Sequence, residues 1–580
     1  MPKRPPPGPA PAPSLWPPRR LLVSLASLAA ATLLVRAGFL EYVAGGIIDG
    51  AVRNIITLIL VFTGLVSALA WFLRESGHPR WLKRGLLFGV AALVGAGMAA
   101  LRIEGVSGDL VPRFRARWQK PRDALLEPAV AAGAAASASP WTASADDFAR
   151  FLGPAGTGVL AGPDLDGDWK ARPPRELWRR PIGAGWSGFA TSGEHAVTLE
   201  QRGDEEIVTC LDLATGEPQW QVAVRARHET VLGGIGPRST PAIADGVVFA
   251  AGATGWLHAI DGATGRVLWK KDVPADLGID AAAHAEAIAW GRAGSPLVLD
   301  DVVVVPGGGP RSDGPVTLVA YDRATGERRW TAGDDQISYC SPTLLTLGGR
   351  QQLVVVGESR VMAFDPASRE EVWRFPWPGH SNSDASCTQP VVIGPARVFV
   401  SKGYGIGAAA FDVVTGDDGT ATTEEAWRNP AGLKTKFTNV VTHRGHVYGL
   451  SDGILECLRA ADGKRVWKGG RYDQGQLLLV GDLLVVQSEP GDVVLVEATP
   501  ERHREVARLA ALDGQTWNNP TLAGDRLLVR NATEAACYRL PVHGRTAEPE
   551  PAAAAPDSPD PPAADPPADA APAGAAEPAA

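Results

Sequence analysis

The hydropathy pattern changes character near residue 148. Before it, three long apolar runs occupy 21–40, 54–73 and 85–101, each about the length that crosses a bilayer. After it, apolar residues come in short alternating runs broken by glycine-bearing turns, the period-2 signature of half-buried strands. In "PAIADGVVFAAGATGWLHAIDG" (241–262), "ADG" turns one hairpin and "ATG" a second. The pattern therefore predicts an N-terminal helical segment followed by an all-β domain.

One phrase recurs through the β part. "LHAIDGATGRVLW" (257–269) is echoed by "CLDLATGEPQW" (210–220), "VAYDRATGERRW" (319–330) and "MAFDPASREEVW" (362–373), and more loosely by "AFDVVTG" (410–416) and "CLRAADGKRVW" (457–467). It reads as strand, turn, strand. The aspartate (Asp212, Asp261, Asp322, Asp365, Asp412) bonds backbone N–H groups ahead of it. The glycine (Gly216, Gly265, Gly326, Gly416) supplies a positive φ. The closing indoles are Trp178, Trp220, Trp269, Trp330, Trp373, Trp427 and Trp467, spaced 42, 49, 61, 43, 54 and 40 residues apart. Propeller blades run to about 40–50 residues of four strands each, and a lone hairpin is too weak to stand without neighbours to stack on. Inner strands should begin near Ser187, Pro241, Pro296, Pro342, Pro390, Asn439, Leu478 and Pro520, which makes eight blades. The last unit (519–540) holds only three strands, and "RELWRRPIG" (175–183) is one strand with no blade of its own. That strand is expected to close the last blade and so the ring. The fold class is an all-β, eight-bladed propeller of four-stranded blades spanning 148–545, preceded by three transmembrane α-helices.

The pattern A-x-D-x-x-T-G-x-x-x-W resembles the repeat of the pyrroloquinoline-quinone (PQQ)-like propellers, and "FLGPAGTGV" (151–159) is similar to the segment that leads into many of them. That superfamily holds quinoprotein dehydrogenases and also non-catalytic scaffolds of the BamB type, which act in outer-membrane assembly. The resemblance covers roughly 148–540 and implies the fold. It implies activity only weakly, because one fold hosts many functions.

The formal charge of −8 and the lack of basic clusters on the repeats argue against a nucleic-acid partner. Five scattered cysteines read as buried free thiols. Lys3, Arg4, Arg19 and Arg20 precede the first apolar run, and Arg74, Arg80, Lys83 and Arg84 separate the second from the third. Positive-inside reasoning then puts the N-terminal segment (1–20) in the cytoplasm and the propeller on the periplasmic side of an inner membrane. "RFRARWQKPR" (113–122) runs against that rule, because it is basic on the outer side. Residues 102–147 are read as a linker, and the Pro/Ala-rich acidic stretch 546–580 as disordered.

A dehydrogenase of the resembled family implies a Glu/Asn/Asp calcium shell, a catalytic aspartate and often a disulfide between adjacent cysteines. No Cys-Cys pair and no C-x-x-C-H occur, and the shell finds no matching positions. "DLDGDW" (164–169) lacks the later ligands of a calcium loop, and "GYGIG" (403–407) opens no helix. No catalytic, cofactor or metal residue is therefore assigned. PQQ with calcium is kept as the alternative. The segments leading into the inner strands are unusually polar, and loops on a rigid scaffold are where binding residues gather. Arg238, Glu286, Tyr339, Asp384, Lys436 and Asn518 are the candidates there. The expected function is a membrane-anchored, non-catalytic binding or assembly scaffold in the bacterial envelope, a monomeric propeller with the bilayer and envelope proteins or peptides as partners.

Overall fold

The computed structural model describes residues 14–127, 141–310, 314–379, 385–417 and 419–544. The candidate Asp384 and the stretch 546–580 lie outside them. Helices α1 (Arg19–Arg36), α2 (Phe39–Val43), α3 (Gly50–Arg74) and α4 (Arg80–Ala100) come first. Two of them, α3 and α4, are long and apolar enough to cross a membrane, where three spans were expected. The first run, 21–40, is broken at Gly38, whose φ of 84° ends the helix, and the 18 residues of α1 carry Arg19, Arg20 and Arg36. The helices run up and down. Arg20 pairs with Glu75 at one end, while Arg36 bonds Asn54 at the other.

The eight blades follow, each an antiparallel four-stranded sheet, with an extra parallel strand on the seventh. Inner strands begin at Ala190, Ala242, Leu297, Thr343, Val391, Val440, Gln476 and Thr521, close to the positions read from the sequence. The last blade takes its outer strand from Arg175–Pro181, with Trp178 opposite Cys537, so the two ends of the ring are sewn together as expected. Three strands were not foreseen. Val159–Leu160 adds a parallel strand inside blade seven, and the expected linker contains a hairpin, β1 (Leu101–Val106) with β2 (Pro112–Ala116).

The repeat has a mechanical explanation. Asp212 Oδ1 accepts from the backbone N–H groups of Ala214 and Thr215 at 3.0 and 2.9 Å, and Asp322 does the same for Ala324 and Thr325. Four of the indoles lie against the next blade's turn glycine. A Cβ on Gly216, Gly265, Gly326 or Gly463 would fall 2.3–2.7 Å from the preceding blade's Trp178, Trp220, Trp269 or Trp427. The indole N–H then donates across the seam, as Trp220 Nε1 does to Gly262 O at 2.7 Å and Trp269 Nε1 to Arg323 O at 2.9 Å. Room for the ring is made on its own sheet by a small residue opposite it: Ala259, Ala320, Ala363 and Ala410 in four blades, and Cys210, Cys457 and Cys537 in three others. These cysteines are therefore small packing residues in an alanine position. All five cysteines are free.

Candidate ligand-binding channel

The loops that lead into the inner strands ring the central channel, and most of their polar side chains hold blade to blade. Thr240 N donates to Ser295 Oγ and Ser295 N to Ser341 Oγ, both at 2.9 Å. Gln389 N donates to Asn439 Oδ1 at 3.0 Å, and Gln476 Nε2 reaches Phe437 O and Trp517 O. Asn518, a candidate binding residue, donates to Gly185 O and Ser187 O at 3.1 and 2.8 Å. It ties blade eight to blade one. Such a belt leaves few backbone groups unpaired where eight strands start side by side.

Inside the belt lies a cavity of about 600 Å³. One wall packs Trp186 against Trp517 and Trp517 against Phe437 in tilted pairs, at 4.7 and 4.6 Å between ring centroids. The opposite wall stacks Trp290 on Tyr339 at 5.1 Å, with Tyr404 beside them. Of the candidates, Arg238, Tyr339 and Lys436 line this space. Glu286 sits exposed on the short helix Ala281–Ala287 and does not line it. Tyr339 in these walls was legible in the sequence, but Trp186, Trp290 and Tyr404 were missed, since an aromatic outside the repeat carries no positional signal there.

The two ends of the cavity are covered by segments that precede the ring. Phe151 reaches it from the segment that bonds the inner strands of blades one, two and seven. At the other end, the α2–α3 loop and the tip of the β1–β2 hairpin enter the mouth. Lys436, 2% exposed, is surrounded there by Asp452 at 3.2 Å, Asp109 at 3.3 Å and Asp49 at 3.9 Å. Burial pulls the Lys436 ammonium down, but the three carboxylates outweigh it and hold it above the usual lysine range. Burial likewise pushes Asp452 up, and Lys436 with Lys434 more than reverses this. Asp452 also accepts from the Gly50 N–H at 2.7 Å, and Asp49 caps α3 through the Val52 N–H. Gly108 N donates to Glu489 at 2.9 Å, and Lys434 Nζ to Ile48 O at 2.9 Å. The mouth of the ring is thus latched onto the first turn of α3.

A family model described as outer membrane protein assembly factor BamB matches residues 204–469. The repeat resembles that of the PQQ-like propellers. BamB from Moraxella catarrhalis is 17% identical, with 63% of this chain and all of that one covered and a TM-score of 0.44. The quinohemoprotein alcohol dehydrogenase from Comamonas testosteroni is 14% identical over 72% of this chain and 83% of its own, with a TM-score of 0.46. A europium-containing methanol dehydrogenase is 14% identical over 67% and 90%, with a TM-score of 0.41. None of the three is similar enough to speak for activity. No curated protein matches the chain significantly.

The resembled quinone-carrying propellers imply a metal shell of Glu, Asn and Asp, and the described residues bear on its acidic part. Among them no group of three or more His, Cys, Asp or Glu is arranged to hold an ion. The three carboxylates that do converge at the mouth surround an ammonium instead.

Proposed function

We propose that this PQQ-like propeller is a membrane-anchored, non-catalytic binding scaffold of the bacterial cell envelope, with its ring outside the cytoplasm. The observation that carries the reading is the latch. Lys436 and Lys434 hold the channel mouth to the start of α3, so the ring is mounted on the apolar helices rather than strung from them. The exposed aromatics support a bilayer around α3 and α4. Trp16 and Trp81 lie at the Arg80 end of α4, and Tyr42 and Trp118 at the other. The 21 residues of α4 rise about 30 Å, the thickness of the hydrocarbon core, and tryptophan and tyrosine favour both interfaces. The basic stretch 113–122, which contradicts the positive-inside rule, then meets lipid headgroups from the outer side. Partners are envelope molecules met at the mouth.

The test sets scaffold against dehydrogenase. The full chain in lipid nanodiscs is titrated with PQQ and calcium while its melting temperature and dye reduction with alcohols or sugars are followed. No saturable shift and no dye reduction are expected. A melting temperature that rises saturably with the quinone, as linkage requires of a native-state ligand, would overturn the scaffold reading.

A further inference from the structure

The cavity opens beside the first turns of α3. Its rim is apolar: Ile47, Val52 and Ile55 come from the helical segment, Leu110 from the β1–β2 tip, and Leu232 from the hairpin Glu229–Thr230/Gly234–Ile235. Ile47, Val52, Ile55 and Leu232 are each 41–50% exposed. Soluble rings have no reason to rim a channel mouth with bare aliphatics, and contiguous exposed apolar surface marks a binding site or a membrane. Here the rim belongs to the same turns of α3 that the proposed placement puts at the bilayer surface.

One polar group stands out against the aromatic walls. The Arg238 guanidinium lines the cavity, and its terminal nitrogens donate to the carbonyls of Gly233, Gly234 and Gly236. Among the described residues no carboxylate lies within ion-pair distance of it. Lys436, by comparison, has three. Glu206 is near enough to act on Arg238 electrostatically, but burial pushes that carboxyl up to about 7, so it offers only partial compensation near neutrality. A half-buried cation with neutral acceptors alone is costly unless an anion completes it. Trp517 Nε1, on the facing wall, is a buried donor that also lacks a partner.

We infer that the channel takes an anionic amphiphile from the bilayer, with its carboxylate or phosphate head at Arg238 and its acyl or isoprenoid body between the aromatic walls. A cavity of about 600 Å³ lies in the range of sites for small organic ligands, which bury most of their surface. The inference rests on the membrane placement of α3 proposed above.

The experiment uses the full chain in phosphatidylcholine nanodiscs, titrated with cis-parinarate, a fluorescent fatty acid, and with its uncharged methyl ester. Saturable binding above that of empty nanodiscs is expected, and lysophosphatidate is used as competitor to tell a phosphate head from a carboxylate. Displacement assigns the site to both heads, and lack of displacement to carboxylates alone. Arg238→Gln should weaken cis-parinarate about tenfold, the worth of one charged hydrogen bond, and leave the ester nearly unchanged. Arg238→Lys should recover part of the loss. Ala293→Trp, which fills the cavity, should remove binding of both probes. If that variant melts early, Leu232→Asp at the rim should weaken both instead. Absence of saturable binding, or equal affinity of the wild type and Arg238→Gln for the acid, would overturn the inference. Alkaline carbonate extraction of native membranes separates the two failures. A chain that washes off refutes the membrane placement, whereas one that stays and binds no probe refutes this inference alone.

Discussion

Replacing Lys436 by methionine keeps the length of the side chain and removes its charge. Three carboxylates then face one another in a pocket where the lysine is 2% exposed and the nearest two oxygens lie 3.2 and 3.3 Å from its nitrogen. A single contact at that distance is worth about 5 kcal/mol gross at an effective dielectric near 20. Most of this is offset by desolvation. Breaking a buried pair from one side costs about 3–5 kcal/mol, because the charges left behind have no partner. With unfolding entropy near 2 cal/mol/K per residue over roughly 400 ring residues, that is a fall of about 4–6 °C in melting temperature. Thermal unfolding of the detergent-solubilised chain, followed by tryptophan fluorescence, reads it directly. The sign with pH is fixed as well. Lys436 depresses Asp452, so the stability it lends is present above the ordinary aspartate pKa and is lost as pH falls through the depressed value. The gap between wild type and Lys436→Met should therefore hold down to about pH 4 and narrow below it, and Asp452→Asn added to Lys436→Met should restore part of the loss. A variant that melts within about 1 °C of wild type at pH 7, or whose deficit is unchanged at about pH 3, would refute the latch.

Two further outcomes are expected. Gly246 and Gly265 share a left-handed backbone, with φ of 74° and 70°, but a Cβ meets nothing at Gly246 and lies 2.7 Å from Trp220 at Gly265. Gly246→Ala should cost about 1 kcal/mol from backbone alone and Gly265→Ala about 3 kcal/mol, since the indole must move too; equal costs in chemical denaturation would remove the packing role of the motif. Burial, aided by Lys270, pulls His258 down to about 4. Its neutral form is the native one, so the stability this lends is complete above the unfolded value of about 6.5 and is lost as pH falls toward 4, about 3 kcal/mol in all. His258→Leu should flatten that acid limb, and an unchanged slope would reject it.

The ring was legible in the sequence because its repeat is local. Asp, Gly and Trp of one phrase each act within a hairpin or on the next blade, so spacing alone gave the eight blades and the closure by Trp178. What could not be read depends on residues far apart in the chain. Lys436 meets Asp49 and Asp109 across more than three hundred positions, and no local pattern announces that. Asn518 and Tyr339 looked alike as polar residues near a channel, yet one is absorbed by the belt between blades and the other stacks in the cavity wall. Glu286 falls outside the cavity because a short helix, absent from the repeat, interrupts the path into blade three. The first apolar run, read as one span, departs from the expectation for a similar reason. Hydropathy averages across a break, and the left-handed Gly38 divides that run into two helices.

The measurement that bears most directly on a ring mounted outside the cytoplasm on apolar helices is a pair of reporter fusions. A phosphatase that works only after export is joined after Trp141 in one fusion and after Gly77 in the other, in a bacterial host. Activity after Trp141 and silence after Gly77 is the expected result. Silence after Trp141 with activity after Gly77, or equal activity at both, would contradict it.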